Sequence, residues 1–221
     1  MRVAIVDLVL VIAGYLLVQF VSRALDLSTP GLLAVVAGVL IATWRLAASG
    51  ESWRTVGIRK PPTWLGLALS VPALYLITIV AVTGLVLPLA DALGWPPLEL
   101  STYRDVQGNP VALARILLVA WTTAAFGEEM LFRGFLQGRI RTVLGEGRTA
   151  TAGAVILQAL LFGAGHTYLG PRGVANAVVV GLIYGSWYLL RGRNLWPLIL
   201  AHGLTDTISM LAVYFGVLPQ E

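Results

Sequence analysis

Seven stretches of this chain are apolar enough and long enough to cross a bilayer, and short polar turns separate them. The first, residues 3–22, carries only Asp7 near its start. At about 1.5 Å per residue, about 20 apolar residues cover the hydrocarbon thickness of a membrane. The run also exceeds the roughly 7 to 15 residues of a signal-peptide core, so it reads as an uncleaved first helix despite the faint cleavage-site likeness of Ser22-Arg23-Ala24. A turn at 26–30 leads to a second span, 31–46, and then to the polar linker 47–62, which is expected to lie along a headgroup surface. A third span, 64–90, contains Pro72 and Pro88; proline cannot donate the helical hydrogen bond, so these kink or end it. Pro110 opens a fourth helix that runs past Arg139 and Arg141 to a turn at Gly145-Glu146-Gly147. The fifth span is expected over 149–168, the sixth over 173–190 and the seventh over 195–217. The pattern predicts an all-α, polytopic transmembrane helix bundle of about seven spans. It forms a single integral-membrane domain, 1–221, with its chemistry in the half from about 111 to 217.

Composition agrees with a membrane protein and excludes a soluble one. Hydrophobic residues make up 57% and charged residues 12%, with a mean hydropathy of +0.83, against about 25% charged in soluble domains. The net charge of +4 would point to nucleic acid in a soluble protein, but here the cations fall in alternate loops, so no nucleic-acid partner is expected. Arg54, Arg59 and Lys60 follow the second span, Arg139, Arg141 and Arg148 the fourth, and Arg191 and Arg193 the sixth. By the positive-inside rule those loops and the N-terminus are cytoplasmic, and seven crossings place Glu221 on the far side. The expected location is the cell (inner) membrane of a prokaryote. The chain has no cysteine, which rules out thiolate nucleophiles and thiolate metal sites.

Three polar constellations sit inside the spans, each at the i,i+4 spacing that places two side chains on one helix face. In Glu128-Glu129-Met130-Leu131-Phe132-Arg133, Glu129 and Arg133 can pair while Glu128 points elsewhere. An unpaired carboxylate in apolar surroundings is a stronger base than one in water, which makes Glu128 the first catalytic candidate. Phe162 and His166 share a face of the fifth span, where the ring can pack on the imidazole. His202 and Asp206 share a face of the seventh, where the carboxylate can fix which ring nitrogen faces the site. Ionisable groups within spans mark functional sites by default. Gly134/Gly138 and Gly181/Gly185 have the spacing that lets helices approach closely.

In that order, the three motifs EExxxR, FxxxH and HxxxD resemble the signature of the CAAX-protease and bacteriocin-processing family, the Abi or type II CAAX prenyl endopeptidase-like intramembrane proteases. The resemblance implies an endopeptidase whose site lies within the membrane and whose substrate is a peptide or protein, in some members lipidated. It further implies that Glu128 and His166 hold and deprotonate a water, that His202 and Asp206 bind the substrate carbonyl, and that Glu129, Arg133 and Phe162 support the site. No cofactor is needed for a glutamate-held water. Glu128, His166 and His202 are also a two-histidine, one-carboxylate set of the kind that holds Zn2+ with an open position. Two other readings remain for the same polar groups: a proton- or ion-coupled transporter, and a non-catalytic immunity or scaffold protein of the same fold.

Depth along the helices sets a condition on this site. At about 1.5 Å per residue, Glu128 lies roughly 16 Å from Arg139 and His202 roughly 14 Å from Arg193, whereas His166 lies roughly 27 Å from Arg148. His166 can join the others only if the hairpin between the fourth and fifth spans projects into the cytoplasm or the fifth span is strongly tilted.

Overall fold

A computed structural model describes residues 1–27 and 29–217. Among them the chain forms α1 (Arg2–Ala24), α2 (Pro30–Ala48), α3 (Trp64–Ala81), α4 (Leu87–Ala92), α5 (Pro110–Val119), α6 (Gln137–Leu144), α7 (Gly147–Ala164), α8 (Gly170–Leu190) and α9 (Trp196–Tyr214). Two π-helical segments join them without a break: Val82–Val86 between α3 and α4, and Ala120–Leu136 between α5 and α6. The starts are chemically marked. Asn109 Oδ1 accepts from the amides of Val111 and Ala112 at 3.1 Å, with Pro110 at the first helical position. Thr63 Oγ1 does the same for Gly66 at the head of α3.

Helix neighbours run antiparallel between two ends. At the basic end, Asp7 of α1 accepts from Arg45 of α2 at 2.6 Å and from Arg139 of α6 at 2.7 Å, and Arg139 also bonds Glu51. The α2–α3 and α8–α9 loops are tied there by Leu195 N–H to Gly57 O at 3.0 Å. At the opposite end, Arg172 of α8 bonds Asp91 at 2.7 Å, and the amide of Glu99 donates to Leu169 O at 3.2 Å. The loop charges used to orient the chain therefore need one correction. Arg139 and Arg141 belong to α6, and Arg139 is neutralised by Asp7 and Glu51 rather than free in a loop.

Among the described residues six helical stretches meet both the length and the apolarity that a crossing needs: 2–24, 30–48, 64–92, 110–144, 167–190 and 196–214. The expected fifth span, α7, passes between the same two ends but is not among them, because its first turn, Arg148-Thr149-Ala150-Thr151, is polar. Large apolar side chains on the outer faces are exposed, as lipid contact requires; Leu65 and Phe20 are 70% and 71% open. The expected placement of Glu221 lies outside the described residues. Single cysteines at Arg59, Arg148 and Gly192 are expected to react with an impermeant thiol reagent only after the membrane is opened, and one at Pro97 in intact cells. Labelling of positions 97 and 148 from the same side would contradict this arrangement.

The long π-helical segment Ala120–Leu136 is the centre of the bundle. Its amide–carbonyl bonds span five residues, as in Gln137 N–H to Phe132 O, a register usually confined to single turns near functional sites. On one side Leu131, Phe132, Phe135 and Leu136 pack with Val11, Ala42, Leu46 and Phe162. On the other, Ala125 and Met130 pack with Leu74, Tyr184, Leu195 and Leu198. Of the two small-residue pairs, only one seats a helix. A Cβ on Gly181 would lie 2.7 Å from Ala159 Cα, and one on Gly185 would meet the amide of Gln158, whereas Gly138 faces open space.

Candidate active site

The π-helical segment, α7 and α9 each deliver one of the three sequence motifs to a common place. Glu129 and Arg133 are fully buried and joined at 2.8 Å between Oε1 and NH1, so the expected pair forms. Four residues suffice for this contact in the five-residue register as they do in an α-helix. The Arg133 guanidinium lies 4.2 Å from the centre of the Phe162 ring and 5.5 Å from that of Tyr184. Phe162 thus covers the arginine as well as the imidazole, and this aromatic seat offsets some of the cost of burying a cation.

Glu129 carries a second bond that its spacing from Arg133 does not announce. Its Oε1 is 2.9 Å from Nδ1 of His202 on α9, a residue 91% buried by accessible surface. Nδ1 donates to the carboxylate, which turns Nε2 toward Asp206, whose Oδ2 is 3.6 Å away. Asp206 is thus next to the imidazole but beyond hydrogen-bond distance. The expected His202/Asp206 pairing is looser than the Glu129/His202 contact that stands beside it.

His166 lies one residue past the C-cap of α7, not inside a span. Its Nδ1 is 2.8 Å from Phe162 O; a carbonyl can only accept, so Nδ1 carries the proton and Nε2 presents a lone pair. The Phe162 ring stands 4.6 Å from the His166 ring and 6.3 Å from His202, and Tyr168 stacks on the outer face of His166 at 5.9 Å. Phe162 nevertheless reaches the level of His202, their ring centres standing 6.3 Å apart. The α6–α7 turn at 145–147 lies some 15 residues from both Glu129 and Phe162, roughly 20 Å along each arm. His202 is only six residues from the start of α9, about 9 Å. The hairpin therefore projects past the α8–α9 loop and brings Phe162 level with Glu129.

Among the described residues Glu128 has no side-chain hydrogen-bond partner, and its Oε2 is buried. It lies within electrostatic reach of His202 and Asp206, while no bond joins it to His166 among the described residues. A cavity of about 110 Å³ opens between α1, the π-helical segment and α7, lined among others by Tyr15, Phe132, Leu161, Ala164 and Gly165. It reaches the chain next to His166. Among the described residues, no three histidine, aspartate or glutamate side chains converge as a metal-ligand set.

Several contributors escaped the sequence reading. Tyr15 and Tyr184 frame the site from α1 and α8, and Asp7 locks α1 to the helix that bears Glu128. A lone aspartate in an otherwise apolar first span was the available signal for Asp7. The tyrosines carried none, since aromatic residues are common throughout membrane helices.

A bundle of lipid-facing helices around a polar cluster, with Glu129, Arg133 and His202 buried and Glu128, His166 and Asp206 half-buried, defines an integral membrane protein with an internal polar site. Residues 110–208, which run from α5 to α9 and hold that whole cluster, match the model of a family described as Rce1-like type II CAAX prenyl endopeptidases. No curated protein and no solved structure matches the chain significantly. The family is one of CAAX-type proteases, so a hydrolase acting on a peptide or protein is implied.

Proposed function

We propose that this chain is an intramembrane endopeptidase that hydrolyses a peptide bond with a water held between Glu128 and His166. The observation that carries this reading is the contrast between the two adjacent acids: Glu129 is committed to Arg133 and His202, whereas Glu128 is left without a partner. The lone pair on His166 Nε2 accepts one hydrogen of the water and Glu128 takes the other proton. The resulting hydroxide adds to the scissile carbonyl carbon, and the carbonyl oxygen becomes an oxyanion. His202 acts as an imidazolium between the Glu129 and Asp206 carboxylates: Nδ1–H stays on Glu129 and Nε2–H turns to that oxyanion, with Asp206 beside it. Glu128 then returns its proton to the amide nitrogen as the C–N bond breaks. Arg133 and Phe162 fix Glu129 and both imidazoles and take no part in bond changes.

The apolar cavity beside His166 favours a substrate with a lipophilic chain near the scissile bond, whether prenyl, acyl or an apolar side chain. The residence proposed is the inner membrane of a prokaryote, with the N-terminus in the cytoplasm. A zinc ion on Glu128, His166 and His202 is the other chemistry these residue types offer. Both imidazoles would offer it Nε2, since each Nδ1 is held by an acceptor as in metal-ligating histidines, but among the described residues the three side chains do not converge as a ligand set. Purified protein is expected to keep its peptidase activity through prolonged chelation in metal-free buffer. About one equivalent of zinc, lost and restored together with activity, would overturn the metal-free form.

A further inference from the structure

We propose that the cleft between α3 and α8, together with the basic corner above it, holds one anionic phospholipid. The cleft encloses about 530 Å³ and is lined by Ile77, Leu182, Ile183, Trp187 and Leu190, with Arg191 at its mouth. From Leu182 to Arg191 is nine residues, about 14 Å of helix, close to half of the roughly 30 Å hydrocarbon thickness. The lining is continuous with the lipid-facing surface; Ile77 is 45% and Leu190 81% exposed. An acyl chain therefore enters from the bilayer without displacing protein.

The corner above the cleft is a built structure. Asn194 Nδ2 donates to Arg59 O at 2.9 Å, Leu195 N–H to Gly57 O at 3.0 Å, and the Arg59 guanidinium to Gly192 O. These bonds bring Arg59, Lys60, Arg191 and Arg193 onto two touching loops. Among the described residues, none of the four has a carboxylate partner. The contrast with Arg45 and Arg139, which Asp7 and Glu51 neutralise at the same end, makes this corner the uncompensated one.

Arg193 adds a second sign. Its φ of +55° is in the left-handed region, where glycine or asparagine is the inexpensive choice. A cation kept in that conformation, with its N–H bonded to Tyr188 O at 2.8 Å, is strain retained at a position where charge is useful. Arg191 lies 5.1 Å over the Trp187 ring, which aims its guanidinium at the top of the cleft. Four cations above an apolar slot match one phosphate with its negative charge outermost, and basic pockets between helices at the cytoplasmic face recognise such headgroups.

The test is lipid retention by purified protein, read by native mass spectrometry and by the thermal midpoint in detergent, with dioleoyl-phosphatidylglycerol against dioleoyl-phosphatidylcholine. The wild-type chain is expected to keep one phosphatidylglycerol and to gain thermal stability from it alone. Arg191→Gln with Arg193→Asn, which keeps the left-handed turn available, is expected to weaken retention about 30-fold, the equivalent of roughly 1 kcal/mol for each cation. Ile183→Trp, which fills the cleft and leaves every charge, is expected to weaken it as well, while Arg148→Gln at the distal hairpin is expected to change nothing. Equal retention of the two lipids by the wild type, or undiminished phosphatidylglycerol in either of the first two variants, would overturn the proposal. No turnover enters the readout, so it stands or falls separately from the peptidase reading.

Discussion

Glu128→Gln is expected to lower peptide cleavage by about 1,000- to 10,000-fold while leaving the thermal midpoint in detergent within a few degrees of the wild type. Glutamine keeps the size of the side chain but cannot take a proton from water, and general-base loss alone costs about 10² to 10⁴ in rate. Among the described residues the side chain makes no hydrogen bond that the amide would break, so the fold has little to lose. Glu128→Ala is expected to behave in the same way. A well-folded Glu128→Gln protein with full activity, beside a well-folded and dead Glu129→Gln protein, would mean that the two acids have each other's roles.

Glu129→Ala is expected to act first on stability. It strands Arg133, which is fully buried with its Nε and one terminal nitrogen already lacking acceptors, and it removes the acceptor of His202 Nδ1. Breaking one partner out of a buried ion pair costs about 3 to 5 kcal/mol, which for a chain of this length lowers the midpoint by roughly 10 °C. Removing both charges, as in Glu129→Leu with Arg133→Met, is expected to recover part of that loss, because no uncompensated ion remains. A double-mutant cycle on the thermal midpoint checks the coupling; strictly additive losses would show that the two residues do not support one another.

Much of this molecule was legible because its signals are local. Apolar runs located the helices, and the spacing of Glu129 and Arg133, Phe162 and His166, and His202 and Asp206 named one face of each of three helices. What remained hidden depends on neighbours far away in the chain. The Glu129–His202 bond joins residues 73 apart, and no periodicity foretells it. The π-helical register from Ala120 to Leu136 is invisible for a similar reason: its apolar positions pack against two separate cores, and the i,i+4 contact of Glu129 with Arg133 forms in either hydrogen-bond register. Arg139 looked like a loop cation because its partner Asp7 lies 132 residues earlier. His166 looked too deep because the reach of a hairpin past the membrane surface is set by packing. The Gly181/Gly185 pair was readable as a contact face, whereas in the Gly134/Gly138 pair only Gly134 lies at a close approach, to Leu195 and the Val56 carbonyl.

The most direct measurement of the central claim is cleavage of a defined peptide by purified protein in lipid nanodiscs in water enriched in 18O, followed by mass spectrometry of both fragments. The substrate is a synthetic peptide with a lipophilic chain near its C-terminus, and the matched control is Glu128→Gln. The expected result is one broken peptide bond, one 18O in the new C-terminal carboxylate, and neither event with the variant. Intact peptide together with uptake into proteoliposomes that follows a proton gradient and needs Glu128 would contradict it, and would make the same buried charges part of a transporter.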